Sequence, residues 1–227
     1  MNVALITGAS KGFGRAVARA LGNDGWIIVM DARDHETLTR TANNLPSVVA
    51  IAGDVADSWH RAALADAVER IGQLDLLINN ASYLGPSPLP RLAEYSIASL
   101  TRVYEVDVVA PLAIVQSVLP FLRGRRGTIV NVTSDAAVEA YPGWGGYGSA
   151  KAALDQLTGV LAAEEPSIAC YAFDPGDMRT DMHQAAFPGE DISDRPAPET
   201  VVPALLQLIT HRPASGRYRA SDLVAVS

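Results

Sequence analysis

Seven short apolar runs, separated by stretches with helical periodicity, constrain this chain more than any other feature. They fall at Val3 to Ile6, Trp26 to Met30, Val48 to Ile51, Leu74 to Ile78, Thr128 to Val132, Ile168 to Phe173 and Leu223 to Val226. Most are continuously apolar rather than alternating, the pattern of parallel strands covered on both faces. Between them, apolar residues recur at helical spacing near residues 13–22, 35–44, 57–70, 94–121, 147–164 and 199–211. Such alternation predicts an α/β fold, a doubly wound parallel sheet of about seven strands flanked by helices. With 48% hydrophobic side chains and no break in composition, residues 1–227 read as a single domain.

Charge and composition narrow the partners. The 18 basic and 25 acidic residues leave a net charge of -7, which argues against nucleic acid or an anionic membrane. No apolar run reaches membrane-spanning length and no cleavable leader is visible, so no membrane association is expected. The one cysteine, Cys170, lies in the apolar run IACYAF and reads as a core residue. A reducing, cytoplasmic compartment follows, and no metal site is expected.

The first apolar run continues into TGASKGFG, with glycines at 8, 12 and 14, and then into a helical pattern carrying Ala16, Val17, Ala20 and Leu21 on one face. A strand that delivers a glycine-rich turn into a helix N-terminus makes an anion site, because backbone N–H groups and the helix dipole both face the ligand. Gly8 and Gly12 allow the turn and close approach, and Gly14 allows tight helix packing. The spacing is G-x-x-x-G-x-G rather than the commoner G-x-G-x-x-G.

A second constellation lies at Ser134 to Lys151. Tyr147 and Lys151 stand four apart in a helical pattern, so both side chains project from one face. A phenol with pKa about 10 lies three units from neutrality, about 4 kcal/mol of differential stabilisation. A neighbouring ammonium shifts it in the useful direction. Tyr147 could then exchange protons with a substrate hydroxyl or carbonyl. Ser134, closing the apolar run GTIVNVTS, offers a hydroxyl to the same oxygen.

Together these pieces resemble the short-chain dehydrogenase/reductase family in its single-domain form. The resemblance covers nearly the whole chain: TGASKGFG at Thr7 to Gly14, GDV at Gly53 to Val55, NNAS at Asn79 to Ser82, NVTS at Asn131 to Ser134, YGSAK at Tyr147 to Lys151 and PGDMRT at Pro175 to Thr180. It implies a Rossmann-type NAD(P)-binding domain with catalytic Ser134, Tyr147 and Lys151. The implied cofactor contacts are Gly8, Ser10, Lys11, Gly12, Phe13 and Gly14 around the diphosphate and Asp54 and Val55 at the adenine. Asn80 and Ala81 would flank the ribose, Tyr147 and Lys151 would lie beside the nicotinamide, Pro175 and Gly176 would line the cofactor site at the carboxyl end of the sheet, and Met178 and Thr180 would hold the carboxamide. The family also implies self-association, as a homodimer or homotetramer, for which residues 152–161 offer an apolar surface. That surface could equally pack on the sheet.

Cofactor choice should be written after the second strand, in DARDHETL. An acid there holds a ribose 2′-hydroxyl, and a base accepts a 2′-phosphate. Where NAD-dependent relatives carry their acid this chain has Ala32, followed by Arg33, and Lys11 adds a second cation. NADP(H) is therefore expected over NAD(H), unless Asp31 rather than Ala32 faces the ribose.

Two residues depart from the family pattern. Ser82 replaces the usual glycine of NNAG, and Asp107 takes the position of the fourth catalytic residue, an asparagine whose main-chain carbonyl holds a water in relatives. A buried carboxylate is costly, so Asp107 has a partner, stays partly hydrated, or carries a raised pKa. Residues 181–198, with three prolines and few core-forming runs, resemble the variable substrate loop. Tyr83, Leu84, Tyr141, Pro142, Trp144 and Phe187 suggest an apolar or aromatic-walled pocket for a small carbonyl or alcohol. Two rival classes remain open: a cofactor-binding regulator or sensor without turnover, and an epimerase or dehydratase using nicotinamide transiently.

Overall fold

The computed structural model describes residues 1–224. Seven parallel strands run through the sheet: β1 Val3–Ile6, β2 Ile27–Ala32, β3 Val48–Ala52, β4 Leu76–Asn79, β5 Thr128–Val132, β6 Ala169–Asp174 and β7 Gly216–Arg219. Their spatial order is β3-β2-β1-β4-β5-β6-β7, so the direction of winding reverses between β1 and β4. In open α/β sheets that reversal opens a crevice at the carboxyl ends of the strands.

The helices are α1 Gly12–Asn23, α2 His35–Ala42, α3 Ser58–Ile71, α4 Ile97–Tyr104, α5 Ala110–Arg125, α6 Gly145–Glu164, α7 Asp181–Ala186, α8 Val202–His211 and α9 Ala220–Val224. Continuous apolar runs are needed in the middle of the sheet, because β1, β2, β4, β5 and β6 supply both faces. Ala4, Ile6, Ile28, Met30, Leu76 and Ile78 join one core with α1, α2 and α8. Val3, Leu5, Val29, Leu77, Ile129 and Cys170 join another with α3 and α5. Burial pushes the Cys170 thiol up to about 11, consistent with a core residue.

One strand lies elsewhere than expected. β7 is the hydrophilic GRYR, while Leu223 and Val224 fall in α9 and residues 225–226 lie outside the described residues. An edge strand needs only one apolar anchor, and Tyr218 provides it, edge-on to Tyr171 at 5.7 Å. Arg217 reaches Asp155 and Asp174, so its polarity reflects ion pairing rather than solvation.

A second correction concerns hydropathy. Ile97–Arg125 is long and apolar enough, by length and composition, to cross a bilayer, contrary to the expectation that no run reaches that length. Its apolar side chains Ala110, Ile114, Val115, Val118 and Leu122 instead pack on the sheet. A five-residue π-turn, Glu105–Val109, interrupts it.

Candidate active site

A cleft of about 880 Å³ opens at the carboxyl ends of the strands, and every predicted site residue except Gly14 and Asp107 lines it. At one end lies the glycine turn. Gly8 and Gly12 have φ +65° and +52°, which β-carbon-bearing residues rarely adopt. Gly14 lies beneath the cleft because a Cβ there would meet Asn80 Nδ2 at 2.4 Å and the Gly8 carbonyl at 2.6 Å. Asn80 uses that space: its Nδ2 donates to the Thr7 and Gly8 carbonyls at 2.9 and 3.1 Å. Lys11 caps α1 through its backbone alone, with no side-chain bond to the first turn.

Asp31 completes this end. It is 1% exposed, accepts from the Gly8 N–H at 2.7 Å, and pairs with buried His60 Nε2 at 2.8 Å. Both carboxylate oxygens are therefore engaged beneath the turn. Arg33 is exposed and makes no ion pair among the described residues, whereas Lys11 pairs with Asp181 at 3.1 Å. Asp54 accepts from Ala56 N–H and pairs with Arg102, so its side chain already has partners. The Phe13 ring stacks on Phe173 in the core, 5.9 Å between centroids.

The other end is organised by the start of α6. A Cβ at Gly148 would meet the Ala136 carbonyl at 2.5 Å, so only glycine lets the helix approach the exit of β5 this closely. That approach brings Tyr147 and Lys151 into the cleft with Ser134. Lys151, 2% exposed, donates from Nζ to the Val132 carbonyl at 3.0 Å and stands 4.0 Å from Asp107 Oδ1. Its Nζ lies 5.4 Å from the centre of the Tyr147 ring. Asp107 projects from the π-turn, is fully buried, and accepts from the Tyr83 N–H at 3.0 Å. Thr180 caps α7, its hydroxyl accepting from His183 N–H. The segment 181–198 is thus partly helical rather than all loop.

The electrostatics differ from expectation in one respect. Tyr147 is held above the ordinary phenol value, first by burial and then by the Asp107 charge. The Lys151 ammonium is itself pushed down by burial, against the opposing pull of Asp107 and Asp155. Asp107 is raised by burial, against the opposing pull of Lys151. Each buried group is driven toward its neutral form.

The family profile described as short chain dehydrogenase matches residues 2–191. This chain is a short-chain dehydrogenase/reductase. Among its relatives is an uncharacterized oxidoreductase of Schizosaccharomyces pombe, 35% identical over 181 residues, which cover 79% of this chain and 72% of the relative. Mus musculus sepiapterin reductase is 33% identical over 201 residues, 81% of this chain and 77% of that one. The solved alcohol dehydrogenase of Thermococcus sibiricus, complexed with 5-hydroxy-NADP, superposes with TM-score 0.86 at 27% identity, covering 96% and 95%. The chain is therefore an oxidoreductase that acts on CH–OH or C=O groups with NAD(P).

The glycine cradle of this dehydrogenase fits a dinucleotide diphosphate. Positive φ at Gly8 and Gly12 and an α1 N-terminus with no side-chain cap leave backbone N–H groups for the anion. Sequence reasoning missed three contributors to the dehydrogenase site. Asp135 Oδ1 accepts a hydrogen bond from the Ser134 hydroxyl at 2.9 Å, and adjacency in sequence was the available signal. His60 supports Asp31 from 29 positions away, with no local signal. Ser82, noticed only as a departure, neighbours both the Tyr147 hydroxyl and the Asp107 carboxyl.

Proposed function

We propose that this enzyme interconverts a small carbonyl compound and its secondary alcohol, with NADP(H) preferred over NAD(H). The exit of β2 carries the preference. With Asp31 locked beneath the glycine turn and Ala32 buried, the first charged group on the rim is the Arg33 guanidinium, which suits a 2′-phosphate. Lys11 contributes less, being shared with Asp181. The 5-hydroxy-NADP bound by the Thermococcus relative supports the same direction. Titrating the protein with each cofactor tests this. NADPH should bind at least about tenfold tighter than NADH, equivalent to about 1.4 kcal/mol, and Arg33→Ala should erase the difference; tighter NADH binding overturns it.

When bound, the nicotinamide supplies the hydride. The protein supplies position and protons. Ser134 turns its hydroxyl from Asp135 toward the substrate oxygen, which it steadies as charge develops. Burial keeps Tyr147 protonated, the state a donor needs in the reductive direction, and Tyr147 gives that proton to the substrate oxygen. Lys151, anchored on the Val132 carbonyl, holds a donor beside Tyr147 and would bind the nicotinamide ribose. Ser10, Asp54, Val55, Asn80, Ala81, Pro175, Gly176, Met178 and Thr180 line the same cleft and would hold the remainder of the cofactor.

An apolar or aromatic substrate fits the walls beside Tyr147. Leu84, Ala136 and Ala186 are buried together with it, and Trp144, Met182 and Phe187 pack against them. Trp144 stands edge-on to Tyr147 and tilted against Phe187, each at 5.9 Å. The protein also self-associates in this proposal, with exposed Val109, Ile97 and Val160 available on α4 to α6. Within 152–161, Leu154 and Thr158 are buried, so that segment serves both the core and this surface. A cytoplasmic location completes the reading, supported by the single thiol being buried.

A further inference from the structure

The two places where this chain departs from its family meet in space. Asp107 reaches inward from the π-turn, and only Oδ1 is bonded, to the Tyr83 N–H. Oδ2 is buried without a partner, and so is the hydroxyl oxygen of Ser82, one residue before Tyr83. That hydroxyl lies beside the Asp107 carboxyl on one side and the Tyr147 hydroxyl on the other, without completing a hydrogen bond to either. Orphaned buried oxygens are costly. Ser82 Oγ stands between the two groups, and a small approach with a proton on Oδ2 would pair both oxygens in one direction, Asp107 donating to Ser82 and Ser82 to Tyr147.

We propose that Ser82 and Asp107 form a proton relay to Tyr147, with Asp107 as the neutral acid that refills the tyrosine after it has protonated the substrate. This rests on the reductase reading above. As Tyr147 gives its proton to the substrate oxygen, the Ser82 O–H bond breaks toward the phenolate oxygen and the Asp107 Oδ2–H bond breaks toward Ser82 Oγ. No electrons move along this path. The resulting carboxylate faces Lys151 Nζ at 4.0 Å. It regains a proton from water in the cleft between turnovers, by the same path reversed.

The surroundings agree with a neutral carboxyl. From α6, Lys151 and Tyr147 face Asp107; from the segment after β4, Ser82 and Tyr83; from the segment before α4, the Tyr95 hydroxyl, also buried and unpartnered. Asp155 faces Lys151, while Asp174 and Asp135 act on Tyr147. Lys151 is the one cation among them, and burial outweighs it in raising Asp107.

Infrared spectra of the ligand-free protein and pH profiles of carbonyl reduction test the relay together. A carboxylic-acid band at neutral pH should vanish in Asp107→Asn, which keeps an acceptor for Tyr83, and should shift in Ser82→Ala. Wild-type kcat should fall as pH rises through the Asp107 titration. Asp107→Asn and Ser82→Ala should flatten that limb at a level about 100-fold lower, the low end of what a positioned proton donor supplies. The double variant should be no slower than either single, and Ser82→Thr should restore the limb. Absence of the acid band, unchanged profiles, or losses that multiply in the double variant each overturn the relay. Failure of the wild type to reduce any carbonyl would overturn the reductase reading instead, and the infrared result would still decide whether Asp107 shares a proton with Ser82.

Discussion

The two ends of the cleft are built on opposite principles. Beneath the glycine turn the side chains that brace it are paired: Asp31 holds the Gly8 N–H and His60, and Asn80 holds the Thr7 and Gly8 carbonyls, with Arg15 Nε the one buried side-chain atom of α1 without a partner among the described residues. At the tyrosine end, Ser82 Oγ, Tyr95 Oη, Asp107 Oδ2 and Thr133 Oγ1 are buried with no partner. Satisfied groups hold a shape and respond little when a ligand arrives, which suits binding. Unsatisfied groups in a low-dielectric setting have displaced pKa values and respond strongly to a nearby charge, which suits chemistry. Binding and turnover should therefore separate cleanly between the two ends.

The sharpest break of that separation is Tyr147→Phe. Removing the hydroxyl while keeping the ring should lower turnover about 1,000-fold or more, within the range for loss of a general acid. Cofactor dissociation constants should stay within a factor of a few, because the glycine end is untouched. Steady-state rates and cofactor titrations on the same preparation check both halves. The opposite pattern belongs to Asp31→Ala. It strands His60 and the Gly8 N–H, and breaking a buried pair costs about 3–5 kcal/mol. Denaturant melts should show that loss, and cofactor should bind more weakly. Smaller again is Gly14→Ala, where a methyl must displace the Asn80 amide or the Gly8 carbonyl. Overpacking of this kind costs about 1–3 kcal/mol, and it should raise the cofactor KM far more than it lowers kcat. If Gly14→Ala instead lowered kcat alone, the division of labour between the ends would be wrong.

The same contrast governs what was legible in the sequence. β1, β2, β4, β5 and β6 show as apolar runs because two covered faces demand it, and glycines 8, 12 and 14 show because backbone geometry demands them. β7 was hidden, since an edge strand is satisfied by one tyrosine and by arginines whose partners, Asp155 and Asp174, lie 62 and 43 positions away. Asp31 was legible as an acid near the ribose but not as the brace of the glycine turn, because His60 reaches it only through the fold. Tyr147 and Lys151 were legible from their helical spacing. The direction of the Tyr147 shift was not, because it depends on burial and on Asp107, neither of which has a local signature.

The smallest effect discriminates best at the tyrosine end. Burial raises the Asp107 pKa above the ordinary 3.8, so the folded protein holds that proton more tightly than the unfolded chain does. The associated stability is fully present below pH 3.8 and is lost as pH rises through the folded pKa. Asp107→Asn has no such titration and keeps the Tyr83 contact. The variant should therefore gain on the wild type from about pH 4 upward, by at most about 1.4 kcal/mol per pH unit, and the gain should level off above the folded pKa. Lys151 trims it, because Asp107 helps keep that buried ammonium charged and the variant gives up this attraction. Melting temperatures of the two proteins across pH measure the gain, and its plateau reads the Asp107 pKa without any ligand. Curves that run parallel from acid to alkaline pH would mean that Asp107 is as comfortable in the fold as in water, and the contrast between the two ends would lose its strongest member.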